Sequence, residues 1–315
     1  MKESVLVSAI GGDLSQSVAQ CIRNDLPKVK LIGTDTNINN ASSFFVDKFI
    51  QIAHSKSEEY LTNLKEIIAE EKPTFYIPLS EPELRILSKL EDVGIAELLG
   101  DTKLVWVGSK LLRIFLDKTE SMDFISRLGI GTPISYNIDK LEDVIFPVIV
   151  KPRFGSGSKQ LFVCNNVMEL NSALTFVDKP IIQEYIPDSD NEYTVGVFST
   201  GKGLIHSICF RRYLAPGGHT SWCEVVNDEE ISSISESLAV ASELVGSFNV
   251  QLRKHEGKYY IFEVNPRFSS TALIRSQLGF KDVIWSLGYQ LPSSKFRLEN
   301  PISSKFAVVQ KIVSF

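Results

Sequence analysis

The sequence has only four cysteines in 315 residues, Cys21, Cys164, Cys209 and Cys223, too scattered to form a C-x-x-C pair. That spacing argues against a disulfide framework and against a zinc ribbon, and predicts reduced, mostly buried thiols. Long apolar runs are missing too. The first, SVLVSAI at residues 4–10, is cut by Gly11, Gly12 and Asp13, far short of the roughly 20 residues a membrane span needs. It also ends before it could serve as a secretory h-region, so a cytoplasmic protein without a membrane partner is expected. Positive charge is not in excess. Thirty-three Lys and Arg against 38 Asp and Glu give a net charge of −5, which argues against a general nucleic-acid surface. The sequence shows no internal repeat and no low-complexity linker.

What is present is a globular composition, 43% hydrophobic and 23% charged, in a chain long enough for about two domains. Strand-like SVLVSAI, the GGD turn and a helical pattern in LSQSVAQCIRNDL open the chain. KVKLIGTD, YLTNLKEIIAEEK and TFYIPLS continue the alternation of strand and helix. This pattern predicts an α/β unit with a parallel sheet over residues 1–108. GGDLSQS lacks the later glycines of a dinucleotide fingerprint, so the turn is read as structural or substrate-facing. From residue 109 the pattern changes to SKLLRIFLDKTESMDFISRLGI, read as helix, and then to the strands FPVIVKP, IIQEYIP, EYTVGVFS and LIHSICFRRYL. Residues 109–315 are thus expected to form an α+β domain built largely on antiparallel strands.

Two stretches carry chemistry. In KPRFGSGSKQLFV, Lys151 precedes Gly155, Ser156, Gly157 and Ser158. A cation and backbone N–H groups suit phosphate oxygens, and a flexible hairpin turn explains the same residues. It is not a Walker motif, because the lysine comes first. In FNVQLRKHEGKYYIFEVNPR two strand-like runs flank HEG, read as a three-residue hairpin loop with Gly257 left-handed. That odd loop puts Gln251 and Glu263 on the same face, because opposed pairs then sum to an even number, and Asn265 shares that face. Three oxygen-bearing side chains then converge, as suits a Mg²⁺ that fills its octahedron with phosphate and water.

With those stretches in view, the sequence resembles the ATP-grasp superfamily, in its carbamoyl-phosphate-synthase-like, carboxylate–amine ligase branch. The matching pieces, in order, are DKTESMDFISRLGIGTP, FPVIVKPRFGSGSKQLFV, IIQEYIPDSDNEYTV, NVQL and FEVNPRFSS. The resemblance implies an N-terminal pre-ATP-grasp domain over 1–108 and an ATP-grasp domain over 109–315. Within the latter it implies a lid at about 120–182, a hinge at about 183–187 and a C-terminal subdomain at 188–315. It further implies that Lys118 and Lys151 contact ATP phosphates under the 155–158 loop, and that Gln183, Glu184, Tyr185 and Ile186 read the adenine edge. Glu192 would hold the ribose. Gln251, Glu263 and Asn265 would hold Mg²⁺, or Mn²⁺, and Arg267 would steady the transferring phosphoryl group.

Arg211 and Arg212 carry the fork that clamps a carboxylate, and strand alternation lets only one of them face the site; Arg211 is taken as that residue. His219, Thr271 and Arg275 are weaker candidates for substrate contact. Trp106, Trp222 and Trp285 are read as packing residues. The activity implied is ligation of a small carboxylate to an amine through an acyl phosphate, releasing ADP and phosphate, in a chain expected to dimerise with itself. The alternatives are a phosphotransferase or carboxylating enzyme on the same nucleotide site, and a binding-only regulatory protein.

Overall fold

The computed structural model describes residues 3–155, 157, 160–187, 192–214, 220–298 and 304–307. Five short apolar runs, β1 (Ser4–Val7), β2 (Lys30–Asp35), β3 (Lys48–Gln51), β4 (Phe75–Ile77) and β5 (Lys103–Leu104), form a parallel sheet in the order β3-β2-β1-β4-β5. Every residue of β1 and β4 is buried, as expected for strands covered on both faces. The covering helices are α1 (Asp13–Asp25), α2 (Ser42–Phe45), α3 (Tyr60–Glu71), α4 (Glu81–Leu87) and α5 (Asp92–Leu99). The GGD turn has a local cause. Gly11 donates its N–H to Asp35 at 2.9 Å, and a Cβ on Gly11 would lie 2.9 Å from that carboxylate. Asp35 is thereby occupied in bracing the turn.

The helix predicted from residue 109 is two helices, α6 (Ser109–Phe115) and α7 (Lys118–Arg127). The break comes at Asp117, whose carboxylate caps α7 by accepting the N–H groups of Thr119 and Glu120. N-capping by a short acidic side chain ends one helix and starts another, and here it sets Lys118 at the first position of α7. A four-stranded antiparallel sheet follows, in the order β6-β9-β7-β8, from β6 (Ser135–Tyr136), β7 (Val148–Pro152), β8 (Phe162–Cys164) and β9 (Pro180–Glu184). It packs on α8 (Val167–Phe176) through Val148, Val150, Leu170, Ala173 and Ile182.

The remainder is built on a six-stranded antiparallel sheet. Its strands are β10 (Glu192–Thr200), β11 (Ile205–Leu214), β12 (Thr220–Val226), β13 (Val245–His255), β14 (Lys258–Asn265) and β15 (Lys305–Ala307), in the order β14-β13-β10-β11-β12-β15. One face is apolar. Tyr193, Val195 and Val197 of β10 join Phe248, Val250 and Leu252 of β13 against α6, α7 and α9 (Glu229–Ala241). The two halves of the chain share a core, because α10 (Ala272–Gln277) and α11 (Asp282–Ser286) bring Ala272, Val283 and Ile284 onto Val18, Ala19 and Ile22 of α1.

Arg275 settles one sequence expectation. It is 0% exposed and donates to Asp282, itself 1% exposed, at 2.7 Å. It also donates to Ser269 and Thr271 at 2.9 and 3.3 Å, and a Cβ on Gly196 would meet its side chain at 2.6 Å. This arginine is a buried brace against a glycine floor. Removing one partner of a fully buried pair strands the other charge, so Asp282→Ala should lose about 3–5 kcal/mol of folding stability. A urea midpoint showing a loss under about 1 kcal/mol, within the scale of exposed pairs, would refute that role.

Candidate active site

On the other face of the large sheet, alternation gathers polar side chains at the β14–β13–β10 end, while Phe198, Ile208, Phe210, Cys223 and Val225 form a second apolar cluster with Phe280 and Trp285. Register pairs Glu192 with Arg253, Thr194 with Gln251 and Gly196 with Asn249 across β10 and β13. It pairs Gln251 with Glu263 and Asn249 with Asn265 across β13 and β14. The expected convergence of Gln251, Glu263 and Asn265 is present, but a different device produces it. The hairpin loop is two residues, Glu256 and Gly257, both at positive φ (48° and 77°), with His255 facing Lys258. This is the backbone a type I′ turn requires. An even loop alone would have carried Glu263 into the core beside Tyr259 and Ile261. Instead, Leu252 pairs with Ile261 while Gln251 pairs with Glu263, so Phe262 is the extra residue of a β-bulge. The bulge restores the parity and turns Glu263 and Asn265 into the cleft.

Lys151 reaches the same cleft from the smaller sheet. Val148 and Val150 face α8, so Ile149 and Lys151 point the other way. The ammonium lies 3.5 Å from the Phe262 carbonyl, and the residue is 8% exposed. Burial pulls its pKa down to about 8; Glu263 opposes the shift, while Lys118 and Arg253 add to it. Lys118 donates to the Gly155 carbonyl at 2.6 Å, and the Gly155 N–H donates to Glu81 at 2.8 Å. Gly155 (φ 106°) and Gly157 (φ 82°) adopt backbone that favours glycine. Ser156 and Ser158 lie outside the described residues. Glu81, Lys118, Gly155, Glu263 and Asn265 line one cleft between the helices and the large sheet. Arg267 sits beside it; burial depresses the guanidinium's pKa, and Glu263, Glu81 and Asp13 act in the opposite direction.

The segment taken as the hinge is held from both sides. Gln183 is buried and donates to Ser135 at 3.0 Å. Glu184 donates its N–H to the Ile134 carbonyl and accepts that residue's N–H on its carboxylate, and the Tyr185 N–H donates to the Pro147 carbonyl. The carbonyl of Ile186 accepts from Arg253 at 2.9 Å.

Three expected residues need restating. Arg211 does not reach this face. It stands opposite Glu224 on β12 and pairs with it, on the side where Tyr213 and Trp222 stack at 4.0 Å. Arg212, one residue on, is the arginine that faces the cleft, donating to Glu192 at 2.6 and 2.9 Å and to Gln251 at 2.7 Å. The Gln251 oxygen is therefore turned toward a guanidinium, whereas Glu263 and Asn265 line the cleft beside Glu81. His219 lies outside the described residues.

Two residues were missed. Arg253 was legible, lying two positions from Gln251 on the same strand face; Glu81 was not, because it arrives from the other half of the chain.

The comparisons agree with this architecture. A family model described as an ATP-grasp domain matches residues 115–271, and one described as a PylC-like N-terminal domain matches residues 5–96. The chain belongs to the ATP-grasp superfamily. Within it, the chain is 32% identical over 188 residues to a D-alanine–D-alanine ligase of Fusobacterium nucleatum, covering 54% of this chain and 63% of that one. It is 25% identical over 232 residues to the carbamoyl phosphate synthase large chain of Campylobacter jejuni, covering 66% of this chain and 21% of that one. The chain thus spans less than two thirds of either relative. Its backbone superposes on N5-carboxyaminoimidazole synthetase from Staphylococcus aureus, complexed with ADP, with a TM-score of 0.74, 18% identity and coverage of 95% and 81%. The biotin carboxylase domain of Hydrogenobacter thermophilus 2-oxoglutarate carboxylase gives 0.73, 15% identity and coverage of 94% and 72%.

The Lys151 amine offers a direct test. Its folded pKa, about 8, lies below the roughly 10.4 of a free lysine. The folded state therefore binds fewer protons between those values, and this group's contribution to stability rises with pH through that window. Competitive acetylation of the protein should show Lys151 titrating near pH 8. In Glu263→Gln the midpoint should move lower, since Glu263 favours the charged form. A midpoint near that of surface lysines would show that the amine is solvated.

Proposed function

We propose that the chain is an ATP-dependent ligase, acting through Mg²⁺, that joins a small-molecule carboxylate to an amine. The observation that carries this reading is the bulge-directed Glu263 and Asn265, in one cleft with Lys118 and Gly155 and with the recessed Lys151 ammonium 3.5 Å from the Phe262 carbonyl at its edge. Two oxygen donors fit a hard cation that takes its other ligands from phosphate and water. Among the described residues no group of three His, Cys, Asp or Glu side chains gathers, which disfavours a site built entirely from protein ligands. When bound, the cation would neutralise phosphate charge. The relatives and fold neighbours support the same reading through the ligation named for one and the ADP bound to others.

In this reading Lys151 and Lys118 hold the phosphate oxygens, and the Gly155 loop covers them and excludes water. Gln183–Ile186 carry the base. Arg267 faces the transferring phosphoryl group. A carboxylate oxygen attacks the γ-phosphorus and ADP leaves; the amine nitrogen then attacks the acyl carbon, phosphate leaves and the nitrogen gives up a proton. Catalysis comes from position and charge neutralisation, with no protein nucleophile required. The proposed division is an N-terminal unit over 1–108 and an ATP-grasp unit over 109–315, with small-molecule partners, assembly as a homodimer and a cytoplasmic location. No helix among the described residues is long and apolar enough to cross a membrane.

The test is magnesium-dependent ADP release over a panel of carboxylates with and without amines. Release that needs both substrates and falls at least about 100-fold in Glu263→Ala is expected, a loss of roughly 2.7 kcal/mol of transition-state stabilisation. ADP release that needs the acid alone would assign a phosphotransferase. Tight ATP binding with turnover equal in both proteins would assign a regulator.

A further inference from the structure

Glu192, the residue expected to hold the ribose, has its carboxylate fully engaged. One oxygen accepts Nε and Nη2 of Arg212 at 2.9 and 2.6 Å, and the other accepts Nε and Nη2 of Arg253 at 2.9 and 2.7 Å. An ionised carboxylate offers about four acceptor positions, and these four contacts fill them. The side chain is 3% exposed and its two partners are 10% and 22% exposed, so the cluster is shielded from water. A sugar hydroxyl donating to Glu192 would have to displace a charge-assisted bond, the stronger kind of hydrogen bond.

Arg253 does something else as well. Its Nη1 donates to the carbonyl of Ile186 at 2.9 Å, and its guanidinium carbon lies 5.2 Å from the centre of the Phe262 ring. One planar group therefore joins the segment proposed to carry the base, the buried carboxylate and the bulge residue that turns Glu263 outward. A lysine cannot reproduce that fork, because its ammonium is a single point donor.

We infer that Glu192 is not a ribose ligand in this chain, and that the Glu192–Arg253 pair is a brace that positions the 183–187 segment for nucleotide binding. This rests on the adenine-nucleotide reading of the site. Arg253 is a positioning residue, and its effect falls on the nucleoside end of the ligand rather than on the phosphates.

The test is calorimetric titration of the whole chain with Mg-ATP, Mg-ADP and Mg-2′-deoxy-ATP. Wild type should bind ATP and 2′-deoxy-ATP within about twofold, because no carboxylate reads the 2′-hydroxyl. Arg253→Met should weaken all three ligands by a common factor of roughly tenfold, the scale of one lost charge-assisted hydrogen bond. Arg253→Lys, which keeps a cation beside Glu192 and guards against simple unfolding, should fail to restore affinity while melting within a few degrees of wild type. A wild-type preference for ATP over 2′-deoxy-ATP of tenfold or more that vanishes in Glu192→Gln would overturn the inference. So would full nucleotide affinity in Arg253→Lys, or a loss confined to ATP and absent with ADP. Failure of the wild type to bind any of the three would instead remove the adenine-nucleotide reading itself.

Discussion

Side chains alternate across a strand, so one extra residue decides which face of β14 meets the cleft. With a two-residue turn at Glu256–Gly257, plain pairing would place Glu263 on the face of Tyr259 and Ile261, where an ionised carboxylate would have to be desolvated in the core. The bulge at Phe262 exchanges the faces at that point, so Tyr259 and Ile261 stay packed while Val264 takes up the apolar alternation beyond it. The remaining site geometry depends on this exchange. It sets Glu263 against Lys151, whose ammonium lies by the carbonyl of the bulged residue, and it brings the Phe262 ring under Arg253.

The polar patch on the second face of the large sheet is costly to bury, and paired charges offset that cost. Arg212, Glu192 and Arg253 form one group; Arg275 and Asp282 form another behind it. A buried pair is weak evidence for stability, because a well-packed apolar replacement is often as stable. Its value lies in orientation. Arg253 fixes the Ile186 carbonyl, and Arg275 holds the hydroxyls of Ser269 and Thr271 directly after Arg267. Each brace thus fixes a loop, one that follows β9 of the smaller sheet and one that follows β14.

Much of the fold was legible because its signals are local. Apolar runs separated by helical periods gave the parallel sheet, and the polar residues of FEVNPR stood out against the strand that carries them. The misread features share a physical cause, dependence on a partner distant in sequence or on one residue of register. A three-residue loop and a two-residue loop followed by a bulge both put Gln251 and Glu263 on one face, so the pattern could not distinguish them. For Arg211 and Arg212 alternation required a choice, and the deciding partners, Glu224 on β12 and Glu192 on β10, are fixed only by strand register. The break between α6 and α7 was visible as Asp117, a short acidic residue ahead of Lys118, but apolar periodicity ran through it.

The groups proposed to meet the phosphates are partly satisfied by one another in this structure. Lys118 holds the Gly155 carbonyl and Glu81 holds the Gly155 N–H, so one peptide unit is pinned by a cation from the ATP-grasp region and a carboxylate from the N-terminal region. Lys151 is the exception, since burial works against its charge and only Glu263 offsets it. An entering polyphosphate would favour the charged form of Lys151 and compete with Glu81 for the loop's N–H. A cation between Glu263 and the phosphates would relieve the repulsion between those anions, and the same step would weaken the support that Glu263 gives to Lys151. Phosphate and metal are therefore each more favourable in the presence of the other, which makes joint occupancy of the cleft the electrostatically consistent state.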